Sequence, residues 1–335
     1  MPGRSGPRRC GGAMSAPRPL TVRQLVEAKG ESLGLELVAG GCGLDRVIHG
    51  PEISNPGLVL TGFVERFPGD RLQVLGETEI AYLAAFDEDG QRRALNHLFR
   101  FSLPAIFVTK SLAIPTPLID LAEQHCTPVF RSRLRTAEFY TRIKPFLEDW
   151  FAPRAVLHGS LADVYGVGLL FVGPSGIGKS EAVLDLVERG HRLVADDLVV
   201  VTRRGTEVLL GRGHELQQHH MEIRGVGIID IAHLFGIRAI RQQKRIEVVV
   251  QLERWDEAAV YDRTGLDRQT TEILGVTLPK VVVPLNPGKN ITVIAEVVAM
   301  NHLLRYSGID SAVLFNERLK QRLRRTAEYL EEDTE

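Results

Sequence analysis

The chain has 335 residues, 41 of them Lys or Arg and 42 Asp or Glu, for a formal net charge of −1; 44% are hydrophobic and 25% charged. The charge balance excludes a protein drawn to nucleic acid or an anionic membrane by its overall field. No apolar run approaches the roughly 20 residues of a spanning helix, and the length suits about two domains.

The opening stretch MPGRSGPRRCGGAMSAPRPL is basic and rich in Gly, Pro, Ser and Arg. It lacks the apolar centre of a secretory signal, so residues 1–19 are predicted to be disordered, with Met14 as an alternative first residue. Three cysteines, Cys10, Cys42 and Cys126, are widely spaced and form no CxxC. That usage predicts reduced thiols of a cytoplasmic protein and neither a disulfide framework nor a zinc site.

Thr21 reads as the N-cap of a helix over 22–29, with Val22, Leu25 and Val26 on one face. Short strand-like runs follow in LELVAG and RVIHG, and DGQRRALNHLF (89–99) has helical spacing. AIFVTK (105–110), PLIDLAEQH (117–125) and TPVFRS (127–132) then read strand, helix, strand, which makes the first domain α/β over 20–134. Residues 135–152 read as a helical connector interrupted at Pro145.

From 153 to 335 the texture changes. AVLHGSL and YGVGLLFVG are strand-like, and a glycine loop and a helix follow. HRLVADDLVVV then leads through the tight turn RRG into a hairpin. Strands bracketing a helix predict an α/β domain, and the hairpin predicts a mixed sheet. The last helices are expected over 294–306 and 313–331.

The glycine loop is Gly173, Pro174, Ser175, Gly176, Ile177, Gly178, Lys179 and Ser180. It satisfies G-x-x-x-x-G-K-[ST] in full, with an apolar strand before it and a helix-forming run after it. Such a loop turns several backbone N–H groups toward phosphate oxygens, at the positive end of a helix. Lys179 then reaches the β- and γ-phosphates, and Ser180 becomes a magnesium ligand. The chain is therefore expected to bind a nucleoside triphosphate, which leaves ATPase, GTPase, small-molecule kinase and protein kinase open. The base-reading pattern NKxD of GTPases is absent.

Asp196 and Asp197 follow the loop serine by 16 and 17 residues. That distance brings a returning strand end back toward the phosphates. In a regular strand the two side chains face opposite ways, so only one can act as base for an incoming alcohol. Spacing alone leaves open which one. In MEIRGVGIID (221–230), Glu222 and Arg224 share one strand face. The carboxylate suits a metal shell and the guanidinium suits a phosphate. PLNPGKN (284–290) is a loop stiffened by Pro284 and Pro287.

Taken in order, HGS (158–160), GPSGIGKS, HRLVADD, MEIRGVGIID, YDR (261–263) and PLNPGKN resemble the motif series of the HPr kinase/phosphorylase family of bacteria. The resemblance spans about residues 20–320. It implies ATP-dependent phosphorylation of a regulatory serine on the phosphocarrier protein HPr. It also implies the reverse phosphorolysis, in which inorganic phosphate removes the phosphoryl group as pyrophosphate. A nucleotide-binding fold resembling that of phosphoenolpyruvate carboxykinase, a homohexamer and a cytoplasmic location are implied as well, with neither nucleic acid nor membrane as partner.

By motif position, the resemblance assigns the phosphates to Lys179, Mg2+ to Ser180 and Glu222, and proton transfer to Asp197. His158 and Arg263 join the active site. Met221, Glu222, Ile223, Arg224, Gly225, Val226, Gly227, Ile228, Ile229 and Asp230 match the segment needed in both directions. Pro284, Leu285, Asn286, Pro287, Gly288 and Lys289 match the dephosphorylation loop. Two departures stand out. Pro174 replaces an acidic residue frequent in relatives, and Asn286 and Lys289 stand where a guanidinium fork is common. Two other readings share the phosphate loop: a kinase of the same fold with another acceptor, and a non-catalytic ATP-sensing regulator. The first predicts product without HPr, and the second predicts binding without product.

Overall fold

The computed structural model describes residues 13–15, 19–214, 217–257, 268–286 and 288–332. They divide into two units, Pro17–Ala152 and a second made of Pro153–Glu335 with the N-terminal residues Met1–Ala16.

In the first unit Thr21 caps the helix Val22–Leu33 in a capping box with Gln24, which satisfies two of the orphan donors at a helix start. A five-stranded sheet runs in the order Leu35–Ala39, Val129–Ser132, Ile106–Val108, Leu72–Leu75, Ile53–Ser54. Its last four strands are parallel and Leu35–Ala39 is antiparallel. One face packs on the helices Glu88–Phe99 and Thr116–Gln124, the other on Val22–Leu33 and Thr136–Trp150.

Three expectations need correction here. The helix Thr136–Trp150 is no connector between domains. It buries Phe139, Ile143 and Leu147 in the first unit's core. At about 1.5–3 kcal/mol per large apolar side chain, that burial outweighs the roughly 3 kcal/mol cost of Pro145 within the helix. Cys42 and Cys126 are not reduced thiols but form a disulfide. A Cβ on Gly43 would lie 1.9 Å from the Cys126 carbonyl oxygen, so the bare GGCG turn packs backbone on backbone there and brings the two Cα atoms to 5.3 Å. Cys10 lies outside the described residues. Within the stretch expected to be disordered, Ala13–Ser15 forms an edge strand beside Arg154–His158 in the second unit.

The second unit is a sandwich of two sheets with helices on one outer face. The six-stranded sheet runs Arg192–Ala195, Ser160–Val164, Val167–Val172, Val248–Arg254, Val276–Leu285, Thr270–Ile273. It is mixed, because Val167–Val172, Val248–Arg254 and Val276–Leu285 are parallel and the other pairings antiparallel. The five-stranded sheet runs Ala13–Ser15, Arg154–His158, Leu198–Arg204, Val208–Gly213, Gln243–Arg245 and is antiparallel. Period-two alternation divides the core. Leu161, Leu170, Val172 and Val249 face the other sheet. Ala162, Leu169, Phe171 and Val250 face the helices Lys179–Glu188 and Ile291–Tyr306. This is how strands read as continuous apolar runs when both faces are covered.

Candidate active site

Two chain crossings between these sheets build the site. Arg154–His158 belongs to the five-stranded sheet, and after Gly159 the chain continues as Ser160–Val164 in the six-stranded one. In the opposite sense, Arg192–Ala195 lies in the six-stranded sheet, and after Asp196 and Asp197 the chain continues as Leu198–Arg204 in the other. The crossings touch. Gly159 N–H donates to the Asp197 carbonyl at 3.0 Å, Leu198 pairs with His158 and Leu161 with Ala195. A Cβ at residue 159 would lie 2.5 Å from the Phe171 carbonyl oxygen, so the first crossing requires glycine.

The strand is therefore not regular through the aspartate pair, and Asp197 has φ +62°. The two carboxylates still part company. Asp196 is 4% exposed and accepts from Ser160 Oγ at 2.5 Å and Ser180 Oγ at 3.0 Å. Burial pushes its carboxyl above the ordinary range, while the two serine hydroxyls act against that rise. A hydrogen bond to a charged group contributes about 1.5–3 kcal/mol, and without such bonds a buried carboxylate is strongly disfavoured. The side chain of Asp197 is instead 60% exposed, with its Oδ1 3.9 Å from Nδ1 of His158, itself 82% exposed.

The phosphate loop follows the fully buried strand Val167–Val172 and leads into the helix Lys179–Glu188. Gly178 is the N-cap and no side chain caps the helix start, so the first-turn N–H groups stay available to an anion. Lys179 Nζ donates to the carbonyls of Gly173 at 3.2 Å and Pro174 at 3.1 Å.

Residues 221–230 form a hairpin of His220–Ile223 with Gly227–Asp230. Met221 is buried in the same core as Val183 and Leu186 of the phosphate-loop helix. Alternation then turns Glu222 outward, and it is exposed. Arg224 reaches the phosphate loop: a Cβ on Gly176 would lie 2.6 Å from its Nη1. Ser180 Oγ donates to Asp196, and among the described residues no hydrogen bond links it to Glu222. Asp230 has local partners. It caps the helix Ile231–Phe235 and accepts from His233 Nδ1 at 2.6 Å, a bond that holds its carboxyl below the ordinary range.

Strands Val167–Val172, Val248–Arg254 and Val276–Leu285 lie side by side and parallel. Their carboxyl ends lead respectively into the phosphate loop, into residues 255–267, and into 286–289. Open α/β sheets bind ligands at this edge. Lys289 Nζ donates to the Pro284 carbonyl at 2.8 Å and closes the last loop on itself. Asn290 then caps the helix Ile291–Tyr306. Arg263 and Pro287 lie outside the described residues.

Ser160 is the site residue that sequence reasoning missed. Its only sequence signal is its place beside His158 in HGS. Its link to Asp196 spans 36 residues and depends on both crossings.

Residues 20–147 match the family described as HPr Serine kinase N terminus, and residues 149–319 that described as HPr Serine kinase C-terminal domain. The chain is 46% identical over 300 residues to the HPr kinase/phosphorylase of Chloroherpeton thalassium, covering 87% of this chain and 88% of that protein. It is 41% identical over 289 residues to that of Bacillus subtilis, covering 86% and 93%. The solved structure of the Hpr(Ser) kinase/phosphatase from Coxiella burnetii aligns with 48% of this chain and 98% of its own, at 32% identity and a TM-score of 0.43.

Proposed function

This chain belongs to the HPr kinase/phosphorylase family, and on that premise we propose how its own residues carry the two reactions. Forward, the γ-phosphoryl group of ATP passes to a serine hydroxyl of HPr. The P–O bond to ADP breaks, a P–O bond to serine forms, and Asp197 takes the hydroxyl proton. In reverse, an oxygen of inorganic phosphate attacks the phosphoserine phosphorus, a P–O–P bond forms as the serine Oγ–P bond breaks, pyrophosphate is the product, and protonated Asp197 gives its proton to the departing serine oxygen.

The observation that carries this reading is the sheet crossing beside Ser180. It supports a division of labour between two carboxylates. Asp196 is buried behind Ser180, where no protein substrate reaches it. Asp197 is exposed next to His158, where a serine on a partner's surface can approach. Lys179, the first-turn N–H groups and Arg224 gather over the phosphates, and charge neutralisation of this kind is most of what phosphoryl transfer asks of a protein.

Family membership carries the use of ATP and Mg2+. The donor set suits that ion: Ser180 and Glu222 offer hard oxygens, and Asp196 orients the serine hydroxyl. No group of three or more His, Cys, Asp or Glu side chains able to hold a metal occurs among the described residues. Mg2+ in such sites is completed by phosphate oxygens and water. When bound, it neutralises charge on the phosphates. Arg263 and the loop 284–289 are assigned to the same site by motif position, and the mixed sheet with its phosphate loop supports a nucleotide fold like that of phosphoenolpyruvate carboxykinase. A homohexamer and a cytoplasmic location complete the proposal. No helix among the described residues is long and apolar enough to cross a membrane.

The test uses the full chain with Mg2+, terminally labelled ATP and HPr, followed by phosphoserine-HPr with inorganic phosphate. Label on an HPr serine in the first mixture and pyrophosphate in the second are expected. Folded protein that binds ATP and labels no HPr serine overturns the reading.

A further inference from the structure

A second charged cluster, with Glu296 and His191 buried and Arg189 and Tyr165 at the surface, lies at the far end of the phosphate-loop helix and has no part in the reaction described above. Glu296 of the helix Ile291–Tyr306 is 6% exposed. Arg189, the C-cap of Lys179–Glu188, grips it as a fork, Nε to Oε1 at 2.9 Å and Nη2 to Oε2 at 2.7 Å. His191 Nε2 lies 3.1 Å from Oε1. The hydroxyl of Tyr165 lies 3.5 Å from the same oxygen, and its ring meets His191 edge-on at 4.6 Å. The hydrogen bond from Arg189 is the main influence holding the Glu296 carboxyl below the ordinary range.

The helices meet at two further points. Thr292 Oγ1 lies 3.4 Å from Asp185 Oδ2, and Ile291 Cδ1 lies 4.0 Å from where a Cβ on Gly178 would stand. One helix begins at Lys179 and Ser180, and the other directly follows the 284–289 loop. A helix is stiff over this length, so a clamp at one end sets the position of the other. Burying a carboxylate beside an arginine and a histidine is also weak evidence for stability alone, because desolvation offsets much of the attraction.

We propose that Glu296 is a positioning residue that locks the phosphate-loop helix to the helix behind residues 284–289, so that the two loops respond to ligand as one body. The inference rests on the functional reading above for the roles of the two loops. Its primary test does not need transfer to HPr. In the full chain, hydrogen exchange is followed with and without Mg-ATP in wild type, in Glu296→Gln, which keeps the shape and removes the charge, and in Arg189→Lys, which keeps the charge and removes the fork.

In wild type Mg-ATP is expected to slow exchange both in Lys179–Glu188 and in the first turn of Ile291–Tyr306. In the variants protection of the first helix stays and protection of the second falls by about tenfold, the size of an ordinary coupling between sites. In steady state the pyrophosphate-forming kcat then falls about tenfold while KM for ATP in the forward direction changes less than about threefold. A variant that folds and keeps Mg-ATP protection in both helices overturns the proposal. So does loss of both directions in step with Tm, which a purely structural role predicts. A wild-type chain that couples the helices but phosphorylates no HPr overturns the functional reading and leaves the clamp standing.

Discussion

Two helix starts, one in each unit, solve the same local problem in opposite ways. In the first unit the strand Leu72–Leu75 ends at Gly76, which opens the helix Glu77–Ala84. In the second, Val167–Val172 passes through a glycine loop into Lys179–Glu188. Both are strand, glycine, helix, with unpaired N–H groups and a positive end. In the first, the chain occupies that end itself: the nearly buried Glu79 accepts from Gly76 N–H at 2.8 Å. In the second no side chain caps the start, and Lys179 and Arg224 add positive charge around it. A helix start stays open to an anion when the protein declines to fill it with its own carboxylate.

Four perturbations press on this contrast. The largest effect is expected from Asp197→Asn, which removes the exposed carboxylate proposed as the base but not the fold. Asn tolerates the positive φ at this position better than most residues. HPr phosphorylation should fall by about 10²–10⁴-fold, the span of general-base catalysis, while calorimetric ATP affinity stays within about threefold. Unchanged transfer rates would remove Asp197 from its role. Next comes Gly176→Ala, where φ is +73° and a Cβ meets the Arg224 guanidinium at 2.6 Å. Crowding Arg224 off the loop should weaken ATP binding by about tenfold, one lost interaction with charge, while alanine at the positive φ lowers stability by about 1–2 kcal/mol.

The mirror experiment is Glu79→Ala in the filled helix start, which removes the accepting oxygen that a Gln would keep. It should lower stability by about 1 kcal/mol, as the loss of a cap does, and leave ATP binding untouched. A change in ATP affinity would break the contrast. The smallest effect is a pH dependence. The Glu296 carboxyl is depressed in the folded state, so its contribution is present above the ordinary carboxylate range and is lost as pH falls through the depressed value. The Tm gap between wild type and Glu296→Gln should therefore be widest near neutrality and close in acid.

Local signals made much of this molecule legible. The phosphate loop, the cap at Thr21, the hairpin around RRG and the last two helices follow from patterns a few residues long. So does the outward face of Glu222, given the buried Met221 beside it. What stayed hidden depends on pairings far apart in the chain. Ser160 meets Asp196 across 36 residues, Cys42 meets Cys126 across 84, and Arg189 meets Glu296 across 107. The aspartate pair was visible as an anomaly in an apolar run. That it marks a passage between two sheets was not, because no short-range pattern says which sheet a strand will join.

That passage has a mechanical consequence. His158, Ser160, Asp196 and Asp197 all lie where the chain steps from one sheet to the other, so the spacing of the two sheets acts as the ruler for these four side chains. Leu157, Leu161, Val194 and Val199 fill the gap between the sheets and set that ruler. Protein interiors are packed densely enough to pass on the loss of one methylene, and an error of about 1 Å at reacting atoms can cost about 10²-fold in rate. On the roles proposed for His158, Ser160, Asp196 and Asp197, a greasy spacer layer belongs to the catalytic tolerances as much as to stability.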